Sequence, residues 1–192
     1  MANWSSNSSI YWRYRMVTLK GEHIYLRALE PEDLEFIHTI ENDESFWEIS
    51  NTQTPYSKFL IKQYLENAHK DIYDVKQLRL VISNYKDEAL GMIDIFDFDF
   101  KNNRAGIGIL IKETKNRKQG FGNEALKLLI DYCFNHLYLH QLYCNISEDN
   151  KVSINLFTNQ GFNEIGLKED WNLVDGSYKN EYLFQLINTN VL

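Results

Sequence analysis

Apolar and polar side chains alternate through His23 to Leu29 (HIYLRAL), the two-residue period of a strand with one buried face. The period then changes. Pro31, followed by Glu32 and Asp33 and then by Leu34, Phe36, Ile37 and Ile40, predicts a capped amphipathic helix to about Asn42. Pro55 opens a second predicted helix to about Tyr73, carrying Phe59, Leu60, Tyr64 and Leu65. Leu78 to Ser83, Ala89 to Phe98 and Arg104 to Ile111 are strand-like runs parted by the turn-prone NYKDE and KNN, an antiparallel meander. Phe121 to Leu137 returns to helical spacing through Leu126, Leu129, Ile130 and Phe134. A short strand from Leu142 to Ile146, a helix from Asn150 to Gln160 ended by Gly161, and an extended stretch from Phe162 to Ile165 come next. Trp171 to Val174 and Tyr178 to Leu186 flank Asp175-Gly176, a dipeptide suited to a tight hairpin. The expected order, β-α-α-β-β-β-α-β-α-β-β, is one α+β domain over residues 16–192, behind a loose Ser- and Asn-rich leader at 1–15.

Composition narrows the partners. With 44% apolar and 14% aromatic residues and only 2 Pro, the 192-residue chain has enough large side chains for a core and is not a collagen-like or low-complexity protein. A net charge of −7 argues against nucleic acid or an anionic membrane as partner. Cys133 and Cys144 form no CxxC pair and have no His at zinc-ligand spacing, so both are expected to be reduced, buried thiols, with no metal site. No apolar run approaches the roughly 18 residues that span a bilayer, and a cytoplasmic location is expected.

The chemistry concentrates where a strand ends and a helix opens, in Arg117-Lys118-Gln119-Gly120-Phe121-Gly122. Glycines let backbone approach a ligand, the first helical N–H groups point outward, and two bases add positive charge, a combination suited to a pyrophosphate. The motif is neither a Walker loop nor a dinucleotide fingerprint, and alone it reads equally as a helix-start turn with two solvated bases. Asn150 to Phe162 (NKVSINLFTNQGF) lies one strand further on. Together the two segments resemble the paired motifs of the GNAT acyl-CoA N-acyltransferases, Q/RxxGxG/A before the third helix and then a form of NxxAxxLYxxxGF. Within that family, the IYLRALEPEDLEFIHTIEND opening, NxxS, and the hairpin around DGSYKNEY are similar to the branch of spermidine N-acetyltransferases and ribosomal-protein N-terminal acetyltransferases.

The resemblance implies a mixed, mostly antiparallel sheet of about seven strands with four helices, splayed between the fourth and fifth strands. It implies acetyl-CoA as cosubstrate, its pyrophosphate on the amides from Arg117 to Gly122 and its pantetheine beside Ile109, Leu110 and Ile111. Asn150 then either hydrogen-bonds near the pantetheine or serves as a plain N-cap. Two positions depart from the family pattern. The glutamate of the usual AE pair is replaced, because Ala105 is followed by Gly106, and the tyrosine of LYxxxGF is Phe157, which cannot donate a proton to the departing thiolate. Ser153 or a water is the substitute acid. An alkylammonium with a pKa near 10 must lose a proton before attack, and Asp94 in GMIDIFDFD is the first choice of base. Strict alternation sets Asp94 opposite Asp97 and Asp99 unless a bulge intervenes; Asp97 is either an acceptor contact or an exposed charge at a strand end.

From Ala28 to Ser57 there is no Lys or Arg, yet there are eight acids. Glu32, Asp33 and Glu35 complement a helix N-terminus, while Asp43, Glu44 and Glu48 beside Trp47 are candidate acceptor contacts, with Trp47 alternatively plain core. Gly106 and Gly108 leave a groove for helix packing or a substrate channel. The expected activity is direct acetyl transfer in a ternary complex to a polyamine or similar cationic amine. A protein N-terminal α-amine is the alternative acceptor, and a CoA-binding sensor without turnover the alternative class. Self-association is an expectation from the family.

Overall fold

The computed structural model describes residues 18–50, 52–68, 70–112 and 120–189; the expected leader and Arg117, Lys118 and Gln119 lie outside these. Seven strands form one sheet in the order β1-β2-β3-β4-β5-β7-β6. They are β1 (Ile24–Arg27), β2 (Leu78–Asn84), β3 (Ala89–Asp99), β4 (Arg104–Ile111), β5 (Gln141–Ser147), β6 (Asn163–Val174) and β7 (Ser177–Ile187). All neighbours are antiparallel except β4 and β5. The meander, the last hairpin and the strand count match the pattern of the sequence. Asp175 and Gly176 both take positive φ (49° and 77°), as a two-residue turn between strands of right-handed twist demands. The expected gap between Ile165 and Trp171 closes, because two register shifts let β6 run through to Val174 as one bent strand.

Helices cover both faces, and among the described residues there are six rather than four: α1 (Leu34–Glu41), α2 (Glu44–Ser50), α3 (Lys58–Glu66), α4 (Ile72–Val75), α5 (Phe121–Asn135) and α6 (Lys151–Asn159). On one face, Ile93 and Ile95 of β3 join Leu126 and Leu129 of α5 and Phe157 of α6 in the main core. On the other, Met92 meets Ile37, Ile40, Phe46 and Ile61 of the first three helices. The helix expected from Pro55 to Tyr73 is two short ones. The Ser57 hydroxyl accepts Leu60 N–H at 3.2 Å and starts α3, and the Asp71 carboxylate accepts Tyr73 N–H at 2.8 Å and starts α4. Helix α2 opens in the same way on Asp43, whose carboxylate takes Ser45 N–H at 3.0 Å. Cys133 and Cys144 are buried free thiols, as expected. Among the described residues no helix is long and apolar enough to cross a membrane.

Asp33 does more than complement a helix dipole. It is buried at 5% exposure and accepts both Nη1 (2.7 Å) and Nη2 (2.8 Å) of Arg27, together with Glu30 N–H (2.8 Å). Burial pushes its carboxyl up, but Arg27 and the Glu30 amide outweigh this and hold it below the usual carboxylate range. A carboxyl depressed in the folded state contributes stability that is complete above its unfolded value near 3.9 and is lost as pH falls through the folded value. Urea midpoints are therefore expected to decline below about pH 4, and Asp33→Asn to lower the neutral-pH midpoint and flatten that decline.

Candidate functional site

β4 and β5 pair at only three positions, Arg104 with Gln141, Ala105 with Leu142 and Gly106 with Tyr143. Beyond them the strands part, and a cavity of about 690 Å³ opens between Ile107 to Leu110 on one side and Cys144 to Ser147 on the other. The ladder phase fixes which backbone groups face the gap. Lys112 N–H bonds Leu90 O at 2.9 Å, so the Met92–Leu110 rung is hydrogen-bonded and the Ile93–Ile109 rung is not. Ile109 therefore turns its N–H and C=O away from β3 into the gap, whereas the amide of Leu110 is committed to β3.

Helix α6 forms the floor. The Asn150 carboxamide oxygen accepts Ser153 N–H at 3.1 Å, so Asn150 is an N-cap, and both residues line the cavity. Phe157 lines it too; it is 3% exposed and packs edge-on against Phe162 with ring centres 5.1 Å apart. The opening of α5 stands beside α6. Gly120 takes φ +85° as its N-cap, and a Cβ built on Gly122 would meet only the Leu156 side chain, at 3.6 Å. Packing thus does not require glycine at 122, and the first-turn N–H groups of a fifteen-residue helix are left for an anion.

The remaining wall is acidic. Glu41, Glu48, Asp94, Asp149 and Glu181 line the cavity against one guanidinium, that of Arg79. Asp94 receives Arg79 Nε at 2.8 Å and Nη2 at 2.9 Å, and Arg79 Nη1 reaches Glu41 Oε1 at 2.6 Å. Burial opposes the charge on Arg79, but Asp94 and Glu41 outweigh it and raise its pKa. Lys168 pairs with Glu181, and Lys179 bridges Glu48 and Asp149. The acidic segment is accordingly half neutralised from outside itself, since Asp33, Glu35, Glu41 and Glu48 each hold a base from elsewhere in the chain.

Other candidate residues fall away from the cavity. Asp43 starts α2, Glu44 is exposed on its first turn, and Trp47 donates Nε1–H to Glu41 O at 2.9 Å; none of the three lines the cavity. Asp97 sits in a bulge of β3 with φ +49°, exposed, and accepts the Tyr143 hydroxyl at 3.1 Å. That bulge breaks the alternation, placing Ile95 and Phe98 in the same core. Burial and Asp97 together push Tyr143 up to about 12. Asp99 pairs with Arg104 at 3.3 Å at the strand end. Of the groove expected at Gly106 and Gly108, the Phe96 ring fills the part over Gly106, 2.2 Å from where its Cβ would stand, while Gly108 lines the cavity.

Arg79, Glu41, Asp149 and Lys179 were not legible as site residues. Arg79 is the one charge in its apolar strand run, and it faces Asp94, flanked by Ile93 and Ile95, in register. That pairing of charges was the available signal.

A sheet that opens between two parallel neighbours, with a helix start beside the gap, is the arrangement that the motif resemblance implied for an acyl-CoA-dependent acetyltransferase. The family model described as an acetyltransferase (GNAT) domain matches residues 23–163, and the chain belongs to that family of N-acetyltransferases, whose cosubstrate is acetyl-CoA. It is similar to the spermidine N(1)-acetyltransferase of Vibrio cholerae, 28% identical over 171 residues covering 86% of this chain and 95% of that one. The spermidine N(1)-acetyltransferase of Escherichia coli strain K12 is 29% identical over 160 residues, 82% of each chain. The crystal structure of the Vibrio cholerae spermidine N-acetyltransferase with CoA and spermine superposes with a TM-score of 0.78 at 23% identity, over 86% of this chain and 95% of that one.

Proposed function

We propose that this acetyltransferase moves the acetyl group of acetyl-CoA directly to a primary amine of a polyamine or similar small cation, both substrates being bound together. The observation that carries the acceptor is the cavity wall, where five carboxylates share three bases, Arg79, Lys168 and Lys179, and the excess of acid favours a cationic amine. Polyamine names on two relatives spanning most of the chain support the same reading.

In this reading the pantetheine amides pair with the gap-facing backbone of Ile109 and continue along Leu110 and Ile111. The pyrophosphate lies on the N–H groups of Gly120 to Gly122, with Arg117, Lys118 and Gln119 just before them. Asn150 starts α6 and Phe157 gives the thioester end a dry wall. Acetyl-CoA supplies the activated acyl carbon, and the chain supplies position and proton transfer. The acceptor arrives as an ammonium with a pKa near 10, and a carboxylate on the acidic wall takes its proton, Asp94 directly or through water. Arg79 occupies both Asp94 oxygens, so each keeps a lone pair for this step while the guanidinium holds the group in place. Ser153 or a water protonates the departing thiolate, whose pKa near 8.5 makes it a tolerable leaving group.

The missing tyrosine at Phe157 and missing glutamate at Gly106 suit an α-amine acceptor of pKa near 8, the second reading. Thiol release from acetyl-CoA, measured with spermidine, with an Ala- or Ser-starting peptide and with buffer, separates them. Spermidine-dependent release is expected; release with peptide alone, or tight CoA binding without turnover, overturns the proposal. Asp94→Asn is expected to lower kcat/KM for spermidine by about 10² or more at neutral pH, and full activity in that variant across the pH range discards Asp94 as the base.

A further inference from the structure

One side chain ties the two sides of the cavity edge together. Lys179 of β7, opposite Asn172 of β6, places its ammonium 2.7 Å from Glu48 Oε1 and 2.9 Å from Asp149 Oδ2. Glu48 belongs to α2, Asp149 to the turn before α6, and both line the cavity. Their side chains are 37% and 56% exposed, which puts the bridge at the solvent edge rather than at the floor. The hairpin is held in that position independently, by Glu148 N–H on Asn180 O (3.1 Å) and the Asn180 amide on Glu148 (3.1 Å). The backbone from which the lysine stem departs is therefore fixed at the edge by contacts other than its own ion pairs.

An alkylammonium seated between two carboxylates is the chemical group that a polyamine would present to the same cavity. We propose that Lys179 is a built-in competitor of the acceptor: its ammonium fills the cation position that Glu48 and Asp149 create, and a polycationic acceptor must displace it. Lys179 thereby sets how strongly the protein discriminates acceptors by charge. The inference rests on the polyamine reading above. Exposed ion pairs are individually weak, so a long trication can exchange with the lysine, whereas a monoamine, with its single nitrogen at the reacting end, has no second charge to place there. Both neighbouring carboxylates raise the pKa of Lys179, so it competes as a full cation at neutral pH.

Lys179→Met keeps the stem and removes the charge. Spermidine is expected to bind this variant roughly three- to tenfold more tightly by calorimetry at low salt, with KM lowered alike and kcat unchanged. The gain should shrink as ionic strength rises. A monoamine of similar length should be indifferent to the change, and Lys179→Arg should behave as the unaltered protein does. Equal spermidine affinity in Lys179→Met and the unaltered protein overturns the inference, as does an equal gain for the monoamine. If spermidine is turned over with the same KM by both proteins, this inference alone falls. If neither protein binds or acetylates spermidine, it falls together with the polyamine reading.

Discussion

Replacing Arg79 with methionine is expected to lower folding stability by about 3 to 5 kcal/mol, the usual cost of removing one partner from a buried ion pair. Its side chain is 18% exposed, and those of Glu41 and Asp94 are 15% and 24% exposed. Without the guanidinium, two carboxylates from α1 and β3 converge on one site with no counter-charge. They can relieve this by taking up a proton or by letting α1 move off the sheet. Urea unfolding reads the loss directly, and it should diminish toward acidic pH, where the orphaned pair is neutralised. A midpoint within 0.5 kcal/mol of the unaltered protein, a shift typical of exposed surface positions, would show that the three groups do not act as a unit. Because Arg79 also fixes Asp94, acetyl transfer in the surviving folded fraction should drop as well.

The second large effect concerns Gly106, where the family resemblance leads to the expectation of a glutamate. Gly106→Glu is expected to cost about 3 kcal/mol or more, since it forces a side chain into a buried place already taken by Phe96 and strands a charge there. Pairing it with Phe96→Ala removes the clash and should recover much of the loss in a thermal melt, although the Phe96 contact with Tyr143 disappears with it. Equal melting points for the single and double variants would mean that the ring is not what excludes a side chain from 106. The place a side chain at 106 would take is thus occupied by an aromatic ring from the neighbouring strand, and introducing a glutamate there requires removing that ring.

Sequence periodicity located the strands well because each is bounded by turn chemistry that local residues determine, as at Asp175-Gly176. It did less well on the short helices. α2, over Met92, and α4, whose Ile72 packs on the main core, are seven and four residues long, begin on Asp43 and Asp71, and bury little of their own, so no helical stripe marks them. The bulge at Asp97 was equally hidden, since a left-handed residue within an apolar strand leaves no pattern. The parted strands lie where the motif resemblance implied. The acceptor side was legible only as an excess of acid. Which acids stay available depends on Arg27 and Lys58, which flank the segment, and on Arg79 and Lys179, which reach it from β2 and β7. The packing of α1 and α2 against those two strands decides the last pair, and no run of residues displays it.

The three-rung join of β4 to β5 has a last implication for how the molecule holds together. The sheet behaves as two blades on a short weld, and past the weld main-chain groups of Ile109 wait for a partner from outside the polypeptide. On the reading proposed above, that partner is the donor's own arm, a component the protein completes itself with and then discards at every cycle. Architecture and turnover draw on the same peptide bonds.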